Sequence, residues 1–408
     1  MRVYIGIDWS QSKHDVCFVD ETGTALARLT LAQSADGFHQ LEVGRQRLNV
    51  AAETCLVGIE TAHHLLVDWL WGHGYRQVYV IPPSVVKRMR GRYRQSGART
   101  DQSDAYLLAD LLRTDRRRLQ PWCPDRVLTR QLRSRVSYIG HLTRSVVGMS
   151  NRLRAVLGRY YPAALNLFSD VTTHISLAFV REYPTPQAAW ALSLDEFTAF
   201  AQRHGYRRRQ QLPQRFARLQ QPYPEADADT VAVFRDEAVA LAGLLQVLLR
   251  AKQVALRQLH ELFQQHPDAP IFDSLPGAGL YLAPALLTKF GDDRQRFPTA
   301  ASVQALAGTC PVTAASGQRR VVRFRWSCDH EFRSIVQTWA ITSLASSTWA
   351  NAYWHQIRPR CHSQSHAYRC LANRWLAILW KCWQTRQPYD EAYHLQRRAT
   401  RGKSNAQA

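Results

Sequence analysis

The chain has 408 residues, 46% of them hydrophobic, and 53 Lys and Arg against 32 Asp and Glu, a formal charge of +21. That length allows two or three domains of roughly 100–200 residues, and that apolar content supports packed cores, which excludes a disordered basic tail. Only six basic residues are lysine and 47 are arginine; the flat, bidentate guanidinium suits phosphate, so the balance points to nucleic acid and disfavours an acidic small-molecule enzyme.

Residues 3–125 alternate strand and helix signals. Val3–Asp8, Asp15–Val19 and Ala25–Leu31 read as strands, the last two joined by a turn at Glu21-Thr22-Gly23. A helix is predicted over about 36–49, then a strand at Cys55–Glu60, a helix from Ala62 to Trp71 and a strand at Gln77–Ile81 that Pro82-Pro83 ends. Three paired strands followed by helix-strand-helix-strand describe a ribonuclease H-like mixed sheet. From Val127 to Tyr160, Leu128, Leu132, Arg135, Ile139, Leu142, Val146, Met149, Leu153 and Val156 recur in steps of four and three, a heptad seam. Residues 126–159 hold eight arginines and no acid. A proline-rich stretch, 161–226, is less informative. A second seam runs through Val231, Phe234, Ala238, Leu241, Leu245, Leu248, Lys252, Ala255, Leu259 and Leu262. An antiparallel hairpin and an intermolecular coiled coil both fit two such seams. The expected organisation is a sheet domain over 1–125, a coiled-coil linker region over 126–268, a mostly helical domain over 269–395 and a disordered tail over 396–408.

No apolar run reaches the roughly 18 residues of a membrane span, and the N-terminus reads as a strand and not a signal peptide. Eight scattered cysteines without a C-x-x-C pair read as reduced, mostly buried thiols in a cytoplasm.

Chemistry concentrates in a few places. Asp8 and Glu60 end apolar strands, where an α/β sheet builds its site. Asp101 and Asp104 follow at i,i+3 spacing on a helix start and face one way; a purely structural reading makes Asp101 the helix cap and Asp104 its partner. Four converging carboxylates call for cations, and hard oxygen donors suit Mg²⁺, which would polarise a phosphate. Lys87, Arg88, Arg90, Arg92, Arg94 and Arg99 form an acid-free basic stretch leading into that pair, a candidate phosphate-binding loop. Further on, Ser316 sits beside Gly317, with Arg319, Arg320, Arg323 and Arg325 after it. A serine nucleophile needs cations to absorb charge developing on phosphorus, and these arginines are candidates; an isolated Ser-Gly turn is otherwise a common surface feature. Leu275-Pro276-Gly277-Ala278-Gly279-Leu280 fits a phosphate-binding helix-hairpin-helix turn and an ordinary helix–helix turn equally well. Cys361, His362, His366 and Cys370 are zinc-ligand types whose spacing matches no usual knuckle, and Trp375, Trp380 and Trp383 read as core.

Together, Tyr-Ile-Gly-Ile-Asp8, Gly-Ile-Glu60-Thr, Arg-Thr-Asp101-x-x-Asp104-Ala, Leu-Pro-Gly-x-Gly, Arg-Phe-Pro-Thr-Ala, Ala-Gly-x-x-Pro-Val-Thr and Ala-Ser316-Gly resemble the Piv-invertase-like DEDD insertion-sequence transposases, the "one-ten" family of bridge-RNA-guided recombinases. The resemblance covers most of the chain. It implies a RuvC-like metal site at Asp8, Glu60, Asp101 and Asp104 with Mg²⁺, and Ser316 as the covalent nucleophile on DNA. It also implies a coiled coil between two domains, donor and target DNA and a guide RNA as partners, and a dimer or tetramer with the active site shared between protomers. A bacterial, nucleoid-associated location follows from the same likeness. Relatives carry Gly-Leu-x-Pro before the serine and Lys-Gly after it, where this chain has Gly-Thr-Cys-Pro and Arg-Phe-Arg-Trp. A hydrolytic RuvC-like nuclease or Holliday-junction resolvase and a non-catalytic nucleic-acid scaffold are the alternatives; a sugar-kinase-like ATPase lacks a later phosphate loop.

Overall fold

The computed structural model describes residues 2–60, 65–90, 100–119, 121–317 and 319–396. They form two compact units, divided between Pro124 and Asp125.

The first unit is built on a five-stranded sheet of β1 (Tyr4–Trp9), β2 (Lys13–Val19), β3 (Ala25–Ala32), β4 (Leu56–Ile59) and β5 (Gln77–Val80). The order is β3-β2-β1-β4-β5; β1 pairs antiparallel with β2 and parallel with β4, and β4 pairs parallel with β5. Strand period two sorts the residues. Ile5, Ile7, Val16, Phe18, Val57 and Ile59 pack with α1 (Ala35–Arg47) and α2 (Leu65–Gly72). Tyr4, Cys17, Val19 and Leu56 face the other way, against Ala105, Ala109 and Leu112. Those three belong to α4 (Asp101–Asp115), which follows the short α3 (Pro83–Met89). This arrangement matches the expected mixed sheet and is compatible with a ribonuclease H-like DEDD domain.

The second unit opens with α5 (Val127–Tyr160), a 34-residue helix on the first predicted seam, and the second seam lies on the 37-residue α11 (Ala228–Gln264). Leu132, Ile139, Leu142, Val146, Leu153 and Val156 of α5 are buried, as are Ala238, Leu245, Ala255 and Leu259 of α11. The two helices pack against each other within one chain, antiparallel: Arg135 donates to Gln258 at 2.7 Å, and Arg152 forks onto Glu237. The intramolecular hairpin is therefore the arrangement these seams adopt. Position 135 proves half-exposed, and Val136 takes its place in the core, because 3.6 residues per turn carries a straight helix off a strict heptad. Among the described residues α11 is the one helix long and apolar enough to cross a membrane.

Between these helices, α6 (Pro162–Leu165), α7 (His174–Glu182), α8 (Pro186–Trp190), α9 (Leu194–Arg203) and α10 (Leu212–Leu219) enclose a core around Phe179, Phe197 and Phe200. After α11 come α12 (Ala269–Asp273), α13 (Gly279–Phe290), α14 (Ala300–Leu306), α15 (His330–Ser343), α16 (Thr348–Ile357) and α17 (Gln364–Thr385). Trp339, Trp375 and Trp383 are fully buried among them, as core tryptophans should be, while Trp380 is half-buried. Gly277, at φ +74°, packs on the α15 backbone: a Cβ there would stand 2.6 Å from the Thr342 carbonyl carbon. Helix packing thus accounts for that glycine of the Pro-Gly-x-Gly turn. The region is not wholly helical. A two-stranded ribbon, β6 (Val312–Ser316) and β7 (Arg319–Arg323), interrupts it. Of the eight cysteines, all free, only Cys17 and Cys55 are buried, fewer than expected.

Candidate functional site

The sheet brings its carboxylates together through two glycines. A Cβ on Gly6 would overlap the Ala105 carbonyl oxygen and stand 2.6 Å from the Ala109 nitrogen. One on Gly58 would lie 3.0 Å from the Leu108 oxygen. With no side chain at either place, α4 lies directly on β1 and β4. Its first turn then reaches the carboxyl ends of those strands, where Asp8 and Glu60 project on the same face as Gly6 and Gly58. The helix cap is Thr100, whose hydroxyl accepts from the Ser103 N–H while Ser103 accepts from the Thr100 N–H. The structural reading of Asp101 and Asp104 as cap and partner is therefore corrected. Neither caps the helix.

Electrostatics records the convergence. Burial, then repulsion from Asp104, Glu60, Asp101 and Asp15, pushes the Asp8 carboxyl up to about 7. Burial raises Glu60 too, with Asp104 adding and Arg90 opposing. Arg90 forks onto Asp104 at 2.8 and 3.2 Å, and Lys13 meets Asp101 at 3.0 Å and Asp15 at 3.6 Å. Arg90 and Lys13 neutralise Asp104 and Asp101 in the arrangement seen, and the donors are hard oxygens of the type a divalent cation takes. Their spacing is open: among the described residues the carboxylates do not bring three donors within 4.8 Å of one another. At that spacing the four carboxylates would hold such an ion only together with water.

Three of these residues differ from the sequence reading or were missed by it. Arg90, a candidate phosphate ligand, is engaged with Asp104. Asp15 stands directly across the β1–β2 ladder from Asp8, a proximity set by the register of the two strands. Lys13, one of six lysines, begins β2 beside them. Lys87 and Arg88 are exposed on α3, so the basic stretch starts as a helix and not a loop. Arg92, Arg94 and Arg99 lie outside the described residues.

In the second unit Ser316 ends β6, opposite Arg319, with Gly317 turning at φ +56°. The register pairs Ala314 with Val321 and Val312 with Arg323, so Ser316, Arg319 and Arg323 share one face, and Arg320 lies on the other. Ser316, Arg319, Arg320 and Arg323 are all exposed. Arg325 is half-buried and braces the ribbon's base, donating to the Cys310 and Pro311 carbonyls at 3.3 and 3.5 Å. Beside it Phe324 lies under two guanidiniums, Arg333 at 4.5 Å and Arg369 at 4.6 Å. Trp326 meets Phe324 edge-on at 4.9 Å and is 75% exposed. Sequence reasoning passed over this tryptophan; an aromatic set among arginines was the available signal.

Comparison with known proteins decides the family. Residues 5–162 match a DEDD transposase model, and residues 269–355 match a model described as the transposase IS116/IS110/IS902 family. The Streptomyces coelicolor mini-circle protein of IS117 is 32% identical over 96% of both chains. The chain belongs to the IS110 family of DEDD transposases. Similar at lower identity are the IS116 44.8 kDa protein of Streptomyces clavuligerus (26%, covering 93% of this chain and 94% of that one) and the IS900 42 kDa protein of Mycobacterium paratuberculosis (26%, covering 96% and 98%). The first match spans the carboxylate strands, α4 and all of α5. The second spans the helix–helix turn and the ribbon with Ser316. Both candidate centres of this IS110-family transposase thus fall inside matched regions.

Proposed function

We propose that this insertion-sequence transposase cuts and rejoins DNA through a phosphoserine intermediate on Ser316. Asp8, Glu60, Asp101 and Asp104 form a RuvC-like Mg²⁺ site. The observation that carries the reading is the pairing of an exposed serine with Arg319 and Arg323 on one face of a cationic ribbon, in a chain that also gathers four carboxylates. The Ser316 Oγ bonds to phosphorus as one P–O bond of the phosphodiester breaks; the serine proton leaves to a base and the departing sugar oxygen gains a proton. Attack by a second DNA end reverses the step and frees the serine, so bond energy is conserved, which water attack would discard. Arg319 and Arg323 meet the charge that develops on the phosphoryl oxygens. Mg²⁺, when bound, polarises the phosphate and stabilises entering and leaving oxygens. Asp8, Glu60, Asp101 and Asp104 would hold the ion, with Asp104 exchanging its Arg90 partner for it. By resemblance the partners are donor and target DNA and a guide RNA. The resemblance also calls for a homo-oligomer in which carboxylates of one copy meet the serine of another.

The test is adduct trapping on nicked substrates with Mg²⁺ and guide RNA. Wild type should give a covalent protein–DNA species mapping to Ser316. Ser316→Ala should bind nucleic acid normally yet lose at least about 10²–10³ in rate. Cleavage at the wild-type rate by Ser316→Ala would favour the hydrolytic nuclease instead.

A further inference from the structure

We infer that Cys361, His366 and Cys370 form a zinc site that fastens the start of α17 to the loop before it. Their donor atoms lie within 4.8 Å of one another, all three residues half-buried. In a tetrahedral site with Zn–S near 2.3 Å and Zn–N near 2.0 Å, donors stand about 3.5–3.8 Å apart. Small side-chain rotations therefore close this group on an ion.

The backbone explains how a Cys-x4-His-x3-Cys spacing achieves this. Ser363 caps α17 by accepting from the His366 N–H, so the helix begins just before the histidine. His366 and Cys370 then sit one turn apart on one helix face. A 3-10 turn at Arg358–Arg360 leads the chain back to them. The Cys361 N–H donates to the Arg358 carbonyl at 3.2 Å, and the Arg358 guanidinium donates to the Cys361 carbonyl at 3.4 Å. Exposed His362 lies next in sequence, its ring nearly parallel to that of His366 with centroids 6.0 Å apart, and stands outside the three-donor group; water would complete the coordination.

Two thiolates and an imidazole select a soft or borderline ion over Mg²⁺, which separates this site chemically from the carboxylates of the first unit. The site also has a mechanical place in the fold. Arg369, between its ligands His366 and Cys370, holds Phe324 at the foot of the cationic ribbon. Metal binding at the start of α17 would thereby steady the ribbon's base.

The experiment is metal analysis of the full-length protein purified in reductant. About one zinc per chain should survive gel filtration and fall at least tenfold in Cys361→Ser/Cys370→Ser. Asp8→Asn and Cys310→Ser should retain it. Replacing zinc by Co²⁺ should give thiolate charge-transfer bands and the strong visible bands of a tetrahedral ion. Because the double variant can fail to fold, wild type is also alkylated with and without zinc: the metal should protect Cys361 and Cys370 and leave exposed Cys123 reactive. Wild type that neither retains zinc nor gives the Co²⁺ spectrum would overturn the site. So would equal zinc in the double variant, no protection, or a Cys361–Cys370 disulfide persisting in reductant.

Discussion

Asp8 shows how a single carboxyl reports its surroundings. The unfolded chain ionises it near 3.8, whereas burial and four neighbouring carboxylates hold it to about 7 in the fold. A raised carboxyl favours the folded state while protonated, so its contribution is complete below about pH 4 and lost as pH rises through 7. Thermal melts in chelator should therefore show wild type losing stability between pH 5 and 8 more steeply than Asp8→Asn. Excess Mg²⁺ should raise the melting temperature more at pH 8 than at pH 6, since a proton competes for the same oxygens; equal rises would count against the carboxylates as ligands. Asp8, Glu60, Asp101 and Asp104 were legible in the sequence because strand ends and an i,i+3 pair are one-dimensional patterns. Lys13, Asp15 and the Asp104–Arg90 fork were not, because each depends on which strands and helices meet.

At the level of elements, the two glycines under α4 set how closely that helix lies on the sheet. Gly6→Ala drives a methyl into the Ala105 carbonyl, so α4 must lift and carry Asp101 and Asp104 away from Asp8. Urea unfolding should register a loss on the order of 1–3 kcal/mol or more, with DNA cleavage abolished. Gly58→Ala, whose nearest atom is 3.0 Å away, should cost less on both counts. The long helices were readable from periodicity, which needs no knowledge of the partner, yet only packing within the chain settled their pairing. The ribbon escaped notice because Val312–Ser316 and Arg319–Arg323 bury almost nothing. A strand without a buried face shows no alternation.

For the whole molecule, charge and assembly are the measurable quantities. Counterion release sets a slope near −0.9 in log K against log salt for each duplex phosphate neutralised. Replacing Arg319, Arg320 and Arg323 with alanine should flatten the measured slope by up to about 0.9 per residue; an unchanged slope would mean that the ribbon does not touch the backbone. Assembly is tested on α11, which has an inner and an outer side. Leu245 is fully buried, while Leu244 and Val247 are 51% and 64% exposed. Leu245→Asp should unfold the second unit, because it buries an unpaired charge. Leu244→Asp/Val247→Asp should leave the helical content intact and reduce the oligomer mass in light scattering if copies join along this side. An unchanged mass would place the joint elsewhere.

A hairpin with no core of its own is marginally stable in water. Exposed on both faces and dense in like charge, β6 and β7 are held chiefly at their foot, through Arg325 and Phe324. A polyanion laid along them would cancel the repulsion among Arg319, Arg320 and Arg323, so docking and ordering become one event. If Ser316 acts as proposed, it would be aimed only while DNA is in place, and the free protein would carry it unset. Amide exchange at Thr313–Ala315 should accordingly be fast in the free protein and slow sharply once the duplex is bound.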